Sequence, residues 1–338
     1  MNKQVKTFLQ LFVGIGIAAG LLYLTFRNSS WEDISRLQEA DPLLLVLGAA
    51  ALFMMYMFRA WRWSMMLKGA GHPAKLFNIV LATLITYLVN SLTPKLGEIL
   101  RCSVLLKTDK VPVSASLGTV VSERVADVLF LFGGVGIIFL LELDRLGALF
   151  SSMAEKILGD KGTEWFIGIG VVLVIGAGVG FYFLRSSRFQ EGLIGKVQAF
   201  LNDMLDAAKS VFRLERPWLF ILHTIGLWAC LVLMNYLFLL ALPETSDLGW
   251  YMAILILFIG GLGWALPVPG GMGTTHFIIW QLFLAFELSE TAGKNAAILS
   301  NGATLIYNVF FGILAWFIFL WIAFRIDQAQ KSKKTSGN

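Results

Sequence analysis

The chain has little charge, little cysteine and little histidine for its length. Only 14% of its 338 residues are charged and 57% are hydrophobic, whereas about 25% of a soluble domain is charged. Its two cysteines, Cys102 and Cys230, lie in apolar runs, which argues against a disulfide framework or a thiolate metal site. The three histidines are far apart in sequence and do not suggest a metal centre. We therefore expect no metal, no cofactor and no nucleic-acid partner.

Apolar runs are what the chain has in abundance. Runs near the ~20 residues needed to cross a bilayer recur along its whole length, which predicts an all-α polytopic membrane protein. The first run follows Lys3 and Lys6, and we interpret it as a retained signal anchor because no A-x-A cleavage site follows it. Six full spans are predicted, at residues 7–26, 42–58, 112–141, 165–184, 218–242 and 296–324.

Two further apolar segments, 77–107 and 250–288, are interrupted by proline and glycine. The first break contains Pro94 and Gly97, and the second runs from Leu266 to Gly273. Broken segments in corresponding positions of two halves indicate a transporter binding site. We expect each segment to form a re-entrant hairpin, with return helices that begin near Leu96 and Thr274.

The positions of lysine and arginine predict the orientation. With both termini in the cytoplasm, 18 Lys/Arg lie in cytoplasmic segments, and outer segments hold 6 Lys/Arg with 13 Asp/Glu. Each half then has three spans and one hairpin. Because three spans are an odd number, the second half begins on the opposite side of the membrane, and the halves are predicted to be inverted repeats. Their hairpin tips are expected to meet at a buried polar cavity. The predicted units are repeat 1–142, outer loop 143–164, repeat 165–327 and disordered tail 328–338.

An amphipathic stripe over residues 189–213 predicts a helix on the cytoplasmic surface or along the bundle. The simpler interpretation is a linker helix that joins the two repeats.

Charged residues inside the predicted membrane region mark the candidate site. Glu98 and Arg101 follow the first break, and Glu123, Arg124 and Asp127 lie in the third span. Such charges cost about 2.5–3.5 kcal/mol each at mid-bilayer. Spacing favours the pairs Glu98–Arg101 and Arg124–Asp127, whereas Glu123 and Asp127 repel unless another cation intervenes. A closed ion-pair lattice is one interpretation; a polar site with exchangeable partners is favoured because the charges adjoin a break.

The ligand predicted for this site is an anionic headgroup attached to an apolar chain. Helix N-termini at both breaks attract anions, glycines allow close backbone approach, and guanidinium groups suit phosphate. Tight helix packing is the alternative explanation for the glycine cluster. The candidate anion-binding residues are Arg101, Arg124, Gly270, Gly271, Gly273, Thr274, Thr275 and His276.

Four motifs together resemble the flippase-like membrane region of bacterial lysylphosphatidylglycerol synthases and their stand-alone relatives, over most of residues 5–325. They are Arg59-Ala-Trp-Arg62-Trp63, Asn90 to Glu98 with Arg101, Ser122-Glu-Arg-Val-Ala-Asp127, and Pro267-Val-Pro-Gly-Gly-Met-Gly273. The expected polar network is Arg59, Arg62, Pro94, Gly97, Glu98, Glu123 and Asp127.

The resemblance implies a bacterial inner-membrane protein that moves, or helps to move, a lipid between leaflets. With the anionic headgroup predicted above, the expected partner is an anionic phospholipid or a polyprenyl-phosphate lipid. One position departs from the family, which often has glutamate where this chain has His276. If His276 faces the cavity, we expect pH-dependent activity between about pH 5 and 8.

Two other functions remain open. The chain could present a lipid to a partner glycosyltransferase without transporting it, or it could be a lipid-phosphate enzyme, which is less favoured because its carboxylates lie among arginines. The soluble aminoacyl-transferring domain of the synthases does not follow the last span. We therefore expect no enzymatic activity of its own.

Overall fold

The computed structural model describes residues 3–27, 29–31, 35–93, 96–147, 214–266 and 268–335. Within these ranges the chain is helical and contains no β-strand, as the all-α prediction requires. Two π-helical turns, Ile256–Gly260 and Ile298–Ala303, and two 3-10 turns, Arg36–Glu39 and Pro269–Gly271, interrupt or join the helices. The α-helices are α1 (Lys3–Phe26), α2 (Pro42–Gly69), α3 (Leu76–Leu92), α4 (Leu96–Asp109), α5 (Val113–Leu141), α6 (Pro217–Ala241), α7 (Trp250–Leu255), α8 (Gly261–Ala265), α9 (Thr274–Ala285), α10 (Glu290–Ala297) and α11 (Thr304–Thr335).

Four helical segments of the described chain are long and apolar enough to cross a membrane: Pro42–Gly69, Val113–Leu141, Pro217–Ala241 and Glu290–Ser332. They contain or closely match the spans predicted at 42–58, 112–141, 218–242 and 296–324, and α1 contains the first predicted span. The span at 165–184, the amphipathic segment 189–213 and most of the loop 143–164 lie outside the described residues. The chain is a multi-pass membrane protein whose described spans are helices.

Two helices extend beyond the predicted boundaries. Helix α11 continues to Thr335, past residue 328, because Gln, Ala and Lys of that segment are good helix formers. Helix α2 begins where Asp41 caps the backbone N–H of Leu43 at 2.8 Å, and it runs to Gly69 instead of stopping at residue 58. Arg59 and Arg62, which lie beyond the predicted end of this span and are among the 18 Lys/Arg counted as cytoplasmic, are therefore helical and buried. If these two arginines are left out of the count, the cytoplasmic segments still contain more Lys/Arg than the outer segments.

The core is built around the pair α2 and α6, which pack together along their length. Tyr56 and Trp63 of α2 are fully buried there. Helices α3 and α4 pack against each other, α11 packs on α3, and α1 packs on α9. The end of the first broken segment meets the second, since α3 contacts the turn Pro269–Gly271. Large apolar side chains such as Leu140 and Phe317 remain exposed on the outside, as expected of a surface that faces lipid.

Candidate functional site

The charges of α2 and α5 form the centre of a buried ion-pair cluster. Arg59 lies 2.5 Å from Glu123 and 2.8 Å from Asp127. Arg62 lies 2.6 Å from Asp127 and 3.3 Å from Glu123. The arginines are three residues apart on α2 and the carboxylates four apart on α5, so each pair lies on one helix face. These two arginines are the cations that offset the repulsion between Glu123 and Asp127.

Helix α4 adds Glu98 and Arg101 to the same cluster. Arg101 lies 2.8 Å from Glu98 and 3.1 Å from Glu123, and its guanidinium is 4.4 Å from the centre of the Trp63 ring. Arg124 lies 2.5 Å from Glu98 and 3.7 Å from Asp127. Both pairs expected from spacing, Glu98–Arg101 and Arg124–Asp127, therefore form.

The cluster contains four guanidinium groups and three carboxylates, which leaves one excess positive charge among the described residues. The side chains of Arg62, Arg101 and Glu123 are completely buried. The side chain of Arg124 is 39% exposed, far more than any other member of the cluster. Arg124 is therefore the most accessible guanidinium of a cluster that has one more arginine than carboxylates.

A cavity of about 350 Å³ lies beside the cluster, and Arg59, Arg124 and Asp127 line it. Its walls come from α2, α3, α5, α6, α8, α9, α11 and both π turns. Ligand pockets in proteins hold about 300–1,000 Å³, so this cavity can hold a headgroup but not the acyl chains of a lipid. π-helical turns are often found at functional sites, and here both line the cavity.

The cavity reaches the protein surface between α5 and α8. Arg124 and Val128 of α5 and Trp264 of α8 line the cavity and are also exposed. Helices α5 and α8 lie close together at this opening, because a Cβ placed on Gly261 of α8 would lie 3.5 Å from the side chain of Leu131 in α5. An apolar chain attached to a headgroup in the cavity could leave through this side opening.

The glycines of the second break make a tight turn packed against protein. Gly270, Gly271 and Gly273 have φ values of +56°, +65° and +78°, which glycine adopts without steric cost. A Cβ on Gly273 would lie 2.3 Å from the carbonyl oxygen of Ala18 in α1. None of these three glycines lines the cavity. Turn geometry and close helix packing, the alternative considered above, therefore explain Gly270 and Gly273, whereas Gly271 lies against Thr275 and Trp264 of the cavity wall.

The three residues after these glycines differ in their surroundings. Thr274 donates hydrogen bonds to the carbonyls of Gly263 at 2.9 Å and Gly271 at 3.0 Å. Thr275 lines the cavity, and its hydroxyl has no hydrogen-bond partner in the described part of the chain. His276 is buried, accepts a hydrogen bond from the Gly273 N–H at 3.4 Å, and is not part of the cavity wall. Only Thr275 of the three therefore contributes to the cavity.

At the first break, the return helix α4 begins at Leu96 as expected. The Gly97 N–H donates to the Asn90 side chain at 3.0 Å, and a Cβ on Gly97 would lie 2.4 Å from the Thr86 carbonyl oxygen. Gly97 thus allows α4 to pack closely on α3. Pro94 lies outside the described residues.

A neutral polar part of the cavity wall was not predicted. Its side chains are Asn235, Ser300, Asn301, Thr304 and Asn308. The signal was present in the sequence, because these polar residues interrupt the apolar spans 218–242 and 296–324. Asn301 and Asn308 are seven residues apart, which places them about two turns apart on one face of a helix.

Comparison with known proteins identifies the family. The chain is 25% identical over 361 aligned residues to the glycosyltransferase AglD of Haloferax volcanii, which covers 91% of this chain and 57% of that protein. The chain thus spans a little over half the length of this relative. No solved structure matches the chain. The family described as "Lysylphosphatidylglycerol synthase TM region" matches residues 11–324, nearly the whole chain, including the charged cluster and both breaks. The chain therefore belongs to this family of membrane regions.

Proposed function

We propose that the chain is a transporter that binds the phosphate-bearing headgroup of an anionic lipid in the central cavity and moves it between the leaflets of a bacterial inner membrane. The observation that carries the proposal is the exposed guanidinium of Arg124, on the wall of a headgroup-sized cavity and in a cluster with one more arginine than carboxylates. Guanidinium groups bind phosphate through paired, charge-assisted hydrogen bonds.

Arg124 is held by Glu98 at 2.5 Å and more weakly by Asp127, and both carboxylates have other arginine partners. Asp127 is already held by Arg59 and Arg62, so its 3.7 Å contact with Arg124 is the longest ion pair in the cluster. A phosphate could replace that contact without leaving Asp127 unpaired. The carboxylates of Glu98 and Glu123 are also paired with arginines. None of the three is free to act as a general base, and we propose no catalytic step for the chain itself.

The architecture proposed for transport is the pair of inverted repeats, with both termini in the cytoplasm. Helix packing supports it, because α11 of the second half packs on α3 of the first, and α5 of the first half contacts the π turn Ile256–Gly260 of the second. The last span of each half thus contacts the broken segment of the other. In transporters of this class, one repeat rocks against the other around a central site.

A second candidate function is presentation of a lipid to a glycosyltransferase without transport. The observation that favours it is the similarity to AglD, a protein named as a glycosyltransferase, over 91% of this chain. In that case the headgroup enters the same cavity but the lipid does not change leaflet.

Reconstitution into liposomes separates the two functions. Purified protein would be tested with fluorescent phosphatidylglycerol and with equally labelled diacylglycerol for binding, and for exchange of the phospholipid between leaflets by dithionite quenching, with protein-free liposomes as control. Transport predicts selective binding of the phospholipid and a faster exchange than in the control. Selective binding without exchange would support presentation, and equal binding of both lipids would exclude a phosphate site.

A further inference from the structure

Helix α5 pairs with the first arm of the second broken segment, residues 250–265. Three contacts join the two, from the Leu141 end of α5 toward its middle: Glu142 with Tyr251, Gly134 with Phe258, and Leu131 with Gly261. The residue number falls along α5 as it rises along the partner, so the two helical segments run antiparallel. We call this line of contacts the α5 seam.

The two contacts nearest the end of α5 close the seam tightly. The Tyr251 hydroxyl donates a hydrogen bond to the Glu142 carboxylate at 2.8 Å. The buried ring of Phe258 occupies the space beside Gly134, where a Cβ would overlap it. The same ring stacks on Trp228 of α6 at 5.2 Å. A glycine weakens the interior of a helix, and at position 134 its lack of a side chain makes room for this ring.

The same face of α5 is exposed over the first half of the helix. Residues spaced by three or four lie on one face of a helix, and those of the first half that are exposed are Leu117, Val121, Arg124 and Val128. In the second half, Leu131 and Glu142 take part in the seam and Ile138 is buried. The cavity therefore opens to the membrane beside the first half of α5 and is closed beside the second half. In the orientation proposed above, these sides belong to the cytoplasmic and the outer leaflet.

Transport requires the closed half of the seam to part. The cavity holds a headgroup but not acyl chains, so the apolar chain of a bound lipid stays in the membrane and has to pass along α5 from one leaflet to the other. We propose that the α5 seam is a gate: the Phe258 ring and the Tyr251–Glu142 hydrogen bond close the cavity to the outer leaflet, and the lipid is released there when residues 250–265 move away from α5. Phe258 lies on the π turn Ile256–Gly260, and helices bend at such turns, which allows this arm to move. This inference rests on the proposed function, since both require a lipid to cross at the central cavity.

A cross-link across the seam tests the gate. In a background without Cys102 and Cys230, Glu142→Cys and Tyr251→Cys would be joined by a short bis-methanethiosulfonate linker. Liposomes would report exchange of a short-chain fluorescent phosphatidylglycerol by extraction with albumin, and protein in detergent would report binding of radiolabelled phosphatidylglycerol. The linker should slow exchange roughly tenfold or more, dithiothreitol should restore it, and binding should stay within about twofold of that of the unlinked protein.

The matched control is a linker at the opposite membrane end. Lys68→Cys and Glu215→Cys, at a 2.8 Å ion pair, would join the end of α2 to the segment just before α6. Because α2 and α6 already pack together along their length, this linker should leave exchange unchanged.

A hydrogen-bond variant gives a second readout that needs no linker. Tyr251→Phe removes only the hydroxyl that bonds to Glu142 and should speed exchange by up to about tenfold, since a hydrogen bond to a charged group shifts an equilibrium by that order. Tyr236→Phe, whose ring stacks on Trp250 at 3.8 Å, should exchange lipid like the unchanged protein. The inference is overturned if the 142–251 linker does not slow exchange, if the control linker slows it equally, or if both tyrosine variants exchange at the same rate. If the unlinked protein exchanges lipid no faster than protein-free liposomes, the proposed transport fails, and the gate with it.

Discussion

Replacing Arg124 with glutamine should greatly weaken lipid binding without unfolding the protein. In the variant, Glu98 keeps its ion pair with Arg101 at 2.8 Å, and Asp127 keeps Arg59 at 2.8 Å and Arg62 at 2.6 Å. Three guanidinium groups then balance three carboxylates. Because the Arg124 side chain is 39% exposed and both of its carboxylate partners keep other arginines, we expect a smaller loss of stability than for a completely buried arginine of the cluster.

The expected loss of binding follows from the contact that Arg124 would make. A charge-assisted hydrogen bond contributes about 1.5–3 kcal/mol, and 1.4 kcal/mol corresponds to a tenfold change in affinity. Arg124→Gln should therefore bind a phosphate lipid roughly 10- to 150-fold more weakly. Competition against a radiolabelled lipid measures the affinity, and a thermal unfolding curve of the same preparation measures the stability.

Arg101→Gln provides the contrast, and Arg145→Gln the matched control. Arg101 is completely buried, is paired with two carboxylates and is not part of the cavity wall. Breaking such a buried pair on one side typically costs about 3–5 kcal/mol, so this variant should lose stability first. Arg145 is exposed and also carries one positive charge, and its replacement should change neither quantity. The reasoning is refuted if Arg124→Gln binds lipid like the unchanged protein, or if it unfolds as readily as Arg101→Gln.

Three further predictions concern the second break and the topology. Gly273→Val should lower the thermal unfolding temperature because the valine side chain would meet the Ala18 carbonyl. Gly118→Ala, at a glycine with open space around it, should not lower it, and equal unfolding temperatures for the two variants would contradict the packing of Gly273 on Ala18. Because His276 lies outside the cavity wall, lipid transport should show the same dependence on pH between about 5 and 8 in His276→Gln as in the unchanged protein, and a different profile would place this histidine at the site. In a background without Cys102 and Cys230, single cysteines at Ala70 and Ser332 should be labelled from the cytoplasm and those at Asp144 and Ser246 from outside; labelling of Ala70 and Asp144 from the same side would argue against inverted repeats.

The sequence predicted features that depend on local rules. Long apolar runs predicted the helices, and the Pro/Gly breaks predicted that α4 begins near Leu96 and α9 near Thr274. The pairs Glu98–Arg101 and Arg124–Asp127 followed from a spacing of three residues, which places two side chains on one face of a helix. These inferences needed no knowledge of how the helices are arranged.

Features that depend on contacts between distant helices could not be predicted in the same way. The charged residues Arg59 and Arg62 end the apolar run of α2, so the span was predicted to stop at residue 58. Ion pairs with α5 allow the helix to continue past them. The three glycines were predicted to form part of an anion site, but close contacts with α11 and α1 give Gly270 and Gly273 a packing role. Asn301 and Asn308 were passed over because a polar residue in an apolar span has no recognisable role until its surroundings are known.

The charged cluster combines the two interpretations that the sequence left open. Arg62, Arg101 and Glu123 are completely buried and paired on several sides, which is the arrangement of a closed lattice that holds α2, α4 and α5 together. Arg124 belongs to the same cluster but is exposed at the cavity, and its two carboxylate partners, Glu98 and Asp127, are also held by other arginines. A rigid lattice makes such a site more effective, because the surrounding charges need not rearrange when an anion binds. Substitutions of the buried lattice residues are therefore expected to lower the stability of the fold, and substitutions of Arg124 to weaken the binding of the ligand.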